Sequence, residues 1–199
     1  IHMDAGLKDE AGATTPANSG TTVGTGVIGK GRNLALGTGI YGGNDITNYP
    51  TSTSCSSTRA WFRATGVNGD IVSWGRWVPQ GMLELQFNSP PHIYAHGYFA
   101  SFECTGALAL AQWYLVEHTY TNGTGKVYVN GQLDTSANVY MDNISNSVTM
   151  TIGGWDGSYN YAGDIDEVRV SKVQRSANWV KMEYESEKIL QTMVGTIVQ

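Results

Sequence analysis

Two groups of side chains in this chain have the types and spacing to hold a ligand. One is a single loop, in which Trp155, Asp156, Tyr159, Asn160 and Tyr161 crowd together between Gly154 and Gly163. The other runs from Trp74 to Tyr98 and includes Arg76, Trp77, His92, Tyr94 and His96. Aromatic rings offer apolar faces with polar edges, and the Asn, Asp, Arg and His neighbours add donors and acceptors. That combination suits a sugar, whose C–H face stacks on a ring while its hydroxyls are taken by polar side chains. Burial competes with this reading. Trp61, Trp74 and Trp113 lie in strand-like runs and are expected in a core. Trp77, Trp155 and Tyr159 lie in loops, where they either meet a ligand or cover the ends of the fold.

Asp166 is a third point of interest. It falls in an otherwise apolar run, where a carboxylate needs a partner. Arg169 or backbone amides could serve. Covalent and phosphate chemistry find no footing, because no Gly-x-Ser-x-Gly, P-loop or zinc-binding motif is present. Glu84 stands alone between leucines, and Glu103 and Glu117 are also single acids. Paired-carboxylate hydrolysis needs two acids held together across one bond. The run Asp164-Ile165-Asp166-Glu167 does not repeat its acids on one face.

These residues must be positioned by strands. Val148, Met150 and Ile152 alternate with Thr149 and Thr151, as a strand with one buried face requires. Ile165, Val168 and Val170 would also face inward, but the first step is three residues. A β-bulge at Asp166-Glu167 restores the register. Similar alternation marks Thr58–Thr65, Met82–Phe87 and Gln112–Tyr120. In the last of these, Trp113, Leu115 and Glu117 oppose Tyr114, Val116 and His118. Thr121–Gly125 and Asn130-Gly131 are hairpin turns. Asp4–Gly26 reads as an opening loop with one short edge strand, Gly37–Ser57 as loop, and Leu133–Tyr140 as polar and short. Ser176–Lys188 has no Gly or Pro. Ser176 can cap it, and Ala177, Val180 and Tyr184 share a helical face, giving one short helix at the sandwich edge.

The chain has 199 residues, 25 Gly, 5 Pro, a charged fraction of 15% and a net charge of −5. Few charges with many Gly and aromatic residues suit an all-β sandwich rather than a helical bundle. The acidic balance argues against a nucleic-acid partner. No run is apolar enough for a membrane span. Ile1-His2-Met3 resembles a cloning scar, residues 4–188 form the expected domain, and 189–199 are a final edge strand or a linker to a further domain. Cys55 and Cys104 are either paired or separate buried thiols. The sequons at Asn122 and Asn143 read as ordinary turn residues.

In order, Gly26–Leu34, Trp113–Tyr120, Val127–Gln132, Ile152–Gly154, Gly163–Val170 and the Ser176–Tyr184 helix resemble the laminin-G-like, concanavalin-A-like jelly-roll domains, of the kind found as modules of large secreted bacterial proteins. The resemblance implies two antiparallel sheets of roughly fourteen strands. It also implies a glycan on the concave face or rim loops, and a structural Ca²⁺ held by Asp166 with the N-terminal loop that carries Asp4 and Asp9. Glycanases of this fold carry Glu-x-Asp-x-x-Glu, and the Asp164–Glu167 run lacks its leading Glu. The expectation is therefore a non-catalytic carbohydrate-binding module, extracellular or at the cell surface, linked to neighbouring domains. The alternatives are a structural or adhesive module and, third, a polysaccharide lyase or hydrolase using residues such as His92, Tyr94, His96 and Tyr98.

Overall fold

The computed structural model describes residues 3, 7, 15–44, 49–51, 54–140, 149–154 and 159–188. The strands in chain order are β1 (Ala17–Ser19), β2 (Thr22–Thr25), β3 (Lys30–Leu34), β4 (Gly39–Asn44), β5 (Ser56–Ala64), β6 (Gly69–Gly75) and β7 (Met82–Asn88). They continue as β8 (His92–His96), β9 (Phe102–Glu103), β10 (Tyr114–Thr121), β11 (Thr124–Val129), β12 (Gln132–Asn138), β13 (Thr149–Ile152) and β14 (Gly163–Ser171), followed by helix α1 (Ala177–Glu187). These fourteen strands form two seven-stranded antiparallel sheets, ordered β1-β4-β13-β6-β7-β8-β9 and β12-β11-β10-β5-β14-β3-β2. The fold is a jelly-roll sandwich.

The core lies between the sheets and follows strand alternation. Leu83, Leu85 and Phe87 of β7 meet Ala60, Phe62 and Ala64 of β5, with Phe62 and Phe87 ring centroids 5.5 Å apart. Trp74 is fully buried, and its indole N–H donates to Thr58 Oγ1 across the sandwich at 2.9 Å. That bond meets the one polar need of an otherwise apolar ring. Met150 and Ile152 of β13 also enter the core. On β14 the register against β5 shifts between Asp166 and Arg169, and Glu167 takes φ 49°. The expected bulge is there, and it keeps both Ile165 and Val168 inside.

Four expectations are corrected. The N-terminal stretch supplies two short strands, β1 and β2, rather than one. The Gly37–Ser57 stretch contains β4, which pairs with β1 and β13 and sends Ile40 into the core. Its Gly-rich sequence carries no alternation to read, and its neighbours' ladders recruit it. The helix does not sit at the sandwich edge. It lies across the outer face of the second sheet, where Tyr184 stacks on Trp61 with centroids 5.8 Å apart. Glu187 accepts from Arg59 at 2.7 and 2.8 Å and from the Trp61 indole at 2.8 Å. Ser176 Oγ caps the helix by accepting from Trp179 N at 3.3 Å. Cys55 and Cys104 are separate free thiols, but only Cys104 is buried; Cys55 is exposed, contrary to the expectation of two buried thiols.

Two adjacent residues of β10 are buried on opposite faces. Glu117 lies under the helix with Glu183, Glu187, Arg59 and Arg175 near it, and burial foremost raises its pKa to about 7. His118 points between the sheets beside Phe102, and burial lowers its pKa to about 4. Neither side chain has a hydrogen-bond partner among the described residues. Folded Glu117 holds its proton more tightly than the unfolded chain does, so its contribution to stability falls as pH rises from about 4.5 to about 7. Folded His118 resists protonation, so its contribution falls as pH drops from about 6.5 to about 4. The two slopes oppose one another over the same window. In urea titrations from pH 4 to 7, Glu117→Gln should make stability climb with pH more steeply than wild type, and His118→Asn less steeply. Parallel curves for all three proteins would contradict this.

Candidate functional site

The outer face of the first sheet is polar, because each inward apolar residue forces its neighbours outward. Register places Tyr41, Thr151, Ser73, Glu84 and His96 side by side on β4, β13, β6, β7 and β8. A second row holds Asp70, Gln86, Tyr94 and Glu103, and a third pairs Asn88 with His92.

The rows are cross-linked by hydrogen bonds. His96 Nδ1 lies 2.7 Å from Glu84 Oε2, and Gln86 Nε2 donates to the same oxygen at 2.7 Å. A carboxylate only accepts, so His96 donates here through Nδ1. Asn88 donates to Gln86 Oε1 at 3.2 Å, and the Ser73 and Thr151 hydroxyls bond each other. His92 Nε2 lies 3.5 Å from Glu103 Oε2 at the sheet edge. Glu84 is 0% exposed, and its other oxygen, Oε1, has no hydrogen-bond partner among the described residues.

A chain of rings borders this ladder. Tyr94 stacks on His96 at 5.7 Å, and Trp77 lies against His96 at 5.9 Å and Tyr98 at 4.8 Å. Phe99 stacks on Tyr98 at 4.7 Å. Trp77 is 47% exposed and Phe99 78%. The loops that carry them are held together, with Gln80 N donating to Tyr98 O at 2.7 Å. Gln80, Tyr98 and Phe99 take φ of 61°, 42° and 71°. Left-handed backbone is unfavourable for such residues and persists only where the surroundings impose it. The rings are therefore presented by a braced loop pair.

The structure brings Trp77, His92, Tyr94, His96 and Tyr98 together on or beside this face, while Arg76 is exposed in the loop after β6. Trp74, grouped with them by sequence, faces the core instead. Tyr159 is 51% exposed, and its carbonyl accepts from Asp70 N at 2.8 Å, which sets it at the β6 end of the second row. Asn160 is half-buried. Tyr161 is corrected: it is 1% exposed, its hydroxyl donates to Asp164 O at 3.1 Å, and burial pushes its phenol well above the ordinary range. It is a core residue closed to any ligand. Trp155 and Asp156 lie outside the described residues. So do Asp4 and Asp9. Trp113 is half-buried rather than core, with the Arg63 guanidinium 5.3 Å from its ring.

Glu84, Gln86, Asn88, Asp70, Ser73 and Thr151 were not singled out as ligand residues. The signal was present: Glu84, Gln86 and Asn88 alternate with Leu83, Leu85 and Phe87, and the hairpin to His92, Tyr94 and His96 must align their polar sides.

Both oxygens of Asp166 are engaged by backbone amides, and the Asp4 and Asp9 expected to join it around calcium lie outside the described residues. Its Oδ2 accepts from Val27 N at 2.9 Å and Ile28 N at 3.0 Å, and its Oδ1 accepts from Glu167 N at 2.9 Å. A Cβ on Gly26 would stand 2.5 Å from Oδ2, so the turn wraps the carboxylate closely. Burial, the largest influence, still raises its pKa to about 6. No cluster of three or more His, Cys, Asp or Glu suited to a metal occurs among the described residues. Asp166 braces the bulge and the Gly26–Gly29 turn.

A sequence profile described as the concanavalin A-like lectin/glucanases superfamily matches residues 36–181, well over half of the chain. A search of curated proteins found no match. Among solved structures, one similar fold is domain 4 of AbnA, an extracellular arabinanase from Geobacillus stearothermophilus, in complex with arabinotriose. It has TM-score 0.72 and 19% identity, with 88% of this chain and 91% of that one covered. The binding domain of Paraclostridial Mosquitocidal Protein 1 gives TM-score 0.72 at 14% identity, covering 93% of this chain and 51% of that one. The receptor-binding domain of botulinum neurotoxin C/D mosaic serotype gives 0.68 at 17%, covering 94% and 50%. This chain thus spans about half the length of either toxin domain. No described helix is long and apolar enough to cross a membrane.

The two neighbouring tyrosines offer a direct check on the site's limits. Tyr161→Phe removes a buried hydrogen bond and should cost about 1 kcal/mol in urea denaturation. Tyr159→Phe should cost nothing measurable. Equal effects would contradict the different burial of the two rings.

Proposed function

Since the chain belongs to the concanavalin A-like lectin/glucanases superfamily, we propose that it is a non-catalytic carbohydrate-binding module of a larger extracellular bacterial protein, holding a polysaccharide on the outer face of the first sheet. The observation that carries this reading is the half-exposed Trp77 beside the ladder of Glu84, Gln86, Asn88 and His96. A flat ring next to ordered polar groups is what a sugar needs: the ring takes the C–H face, and the partly exposed Asn88, His92, Tyr94 and His96, held in place by the buried Glu84 and Gln86, take the hydroxyls. The braced loops reduce the ordering cost of binding. The arabinanase domain with arabinotriose is compatible with this ligand class, although at 19% identity the two share a fold and nothing finer.

A structural or adhesive module would be expected to bury Trp77, Trp155 and Tyr159; Trp77 and Tyr159 are exposed, and Trp155 lies outside the described residues. The Glu84–His96 pair favours a second reading, as a lyase or hydrolase, because a carboxylate that orients an imidazole is a common acid–base device. Calcium has no part in the binding face as proposed. In affinity electrophoresis on a polysaccharide panel, wild type should be retarded by one glycan class. Trp77→Ala should lose about 2 kcal/mol, roughly thirtyfold in affinity. Retardation by no glycan would favour the adhesive reading. Release of reducing or unsaturated ends from the same glycans would favour the enzyme.

A further inference from the structure

The hydrogen bonds of this face run in one direction. Glu84 is buried, and its Oε2 accepts from both sides, from Gln86 Nε2 at 2.7 Å and from His96 Nδ1 at 2.7 Å. Gln86 thereby turns its own Oε1 to Asn88, which donates to it at 3.2 Å. Reversing the Gln86 amide would set acceptor against acceptor at Glu84. His96 is the end of this ladder that meets solvent beside Trp77. Its side chain is 18% exposed, and its second ring nitrogen, Nε2, is neither sealed from solvent nor met by a partner among the described residues. Tyr94 stacks on the ring at 5.7 Å with the planes 17° apart, and Trp77 lies at 5.9 Å, tilted by 57°. A carboxylate and two aromatic neighbours therefore fix the imidazole, and Nε2 is its one uncommitted polar atom.

We infer that His96 is a specificity-determining residue of this face, accepting a free sugar hydroxyl through Nε2, and that Glu84 is the positioning residue that fixes it in that role. This rests on the glycan-binding reading above. A neutral imidazole carries one N–H and one lone pair, and the partner of one nitrogen decides the role of the other. A carboxylate only accepts, so it claims the N–H on Nδ1 and leaves the lone pair on Nε2. Glu84 needs no opening to the ligand for this, because it acts through the ring. Trp77 stands beside His96, so a sugar lying on the indole brings its edge to the imidazole. A hydroxyl there has a proton to give to Nε2. An ether or ester oxygen at the same position has none and sets acceptor against acceptor. A site built to hydrogen-bond a hydroxyl rejects an analogue that lacks it. The ligand class is accordingly a glycan whose stacked sugar is unetherified and unesterified on the side that faces His96.

The test begins without ligand, with nitrogen-15 NMR of the imidazole in the whole chain at about pH 8, above the ordinary histidine range. His96 should carry its proton on Nδ1 and none on Nε2. A proton on Nε2, in the other tautomer or in an imidazolium, would overturn the inference, and that measurement needs no variant. In Glu84→Ala, shown folded by circular dichroism, the form protonated on Nε2 should appear; an unchanged tautomer would overturn the role given to Glu84. Calorimetry against soluble arabinan, xylan, galactomannan, mixed-linkage β-glucan and dextran then finds the best-bound glycan, and its oligosaccharides are titrated into the labelled protein. The Nε2 signal of His96 should move as an accepted hydrogen bond requires, and His96→Asn, which keeps a donor for Glu84, should bind about fivefold to tenfold more weakly, the loss of one hydrogen bond. Partial O-methylation of the glycan should weaken wild type about threefold more than it weakens His96→Asn. Binding with Nε2 unmoved, or with both proteins equally sensitive to methylation, would overturn this inference and leave the glycan-binding reading standing. Silence on every glycan would overturn that reading, and this inference with it.

Discussion

The layer of Trp74, Phe62 and Phe87 between the sheets decides both the interior and the binding face. Trp74 reaches Thr58 on the opposite sheet, and Phe62 meets Phe87. Once that layer sets which side of β7 faces inward, Leu83, Leu85 and Phe87 are committed to the core. Glu84, Gln86 and Asn88 are then committed to the other side. Pairing with β8 carries the constraint on to Tyr94 and His96. A slip of one residue would bring the acid inside and turn the leucines out. The apolar packing that stabilises the fold therefore also positions the polar ladder.

The second sheet spends its outer face differently. Helix α1 covers it, with Tyr184 on Trp61 and Glu187 on Arg59. Arg169 joins Glu167, Glu183 and Glu187 around the same patch. Among the described residues this side is a packed, charge-paired surface, whereas the first sheet keeps its polar row and exposed rings. Asp166 ties the bulge of β14 to the turn before β3 through three backbone donors. A buried carboxylate held by amides is a structural brace, and it explains why an acid stands in that strand.

Much of the fold was legible because alternation is a strong local signal. The bulge followed from the three-residue step between Ile165 and Val168, and the helix from Ser176 with Val180 and Tyr184. What escaped notice lacked such a signal. β1, β2 and β4 are short and rich in Gly, Thr and Asn, and only their partners' ladders make them strands. The helix's place over Trp61 depends on the Arg59–Glu187 contact, whose members lie far apart in the chain. The site was half legible. Exposed aromatics in a loop can be recognised, but nothing local separates Tyr159 from Tyr161, because burial depends on which way the loop crosses the sheet end. Nor could the amide partners of Asp166 be read without seeing the Gly26–Gly29 turn close over it. Glu84 read as an isolated acid because its partners Gln86 and His96 become neighbours only through the β7–β8 hairpin.

The central claim is that ligand is held on the outer face of β6, β7 and β8. It is tested most directly by mapping amide and indole chemical shifts while titrating in oligosaccharides of the best-bound polysaccharide. The account predicts that shifts concentrate on residues 73–77, 84–88, 92–99 and the Trp77 indole N–H. Shifts confined instead to Arg63 and Trp113 on the second sheet, or to the Gly26–Asp166 turn, would contradict it.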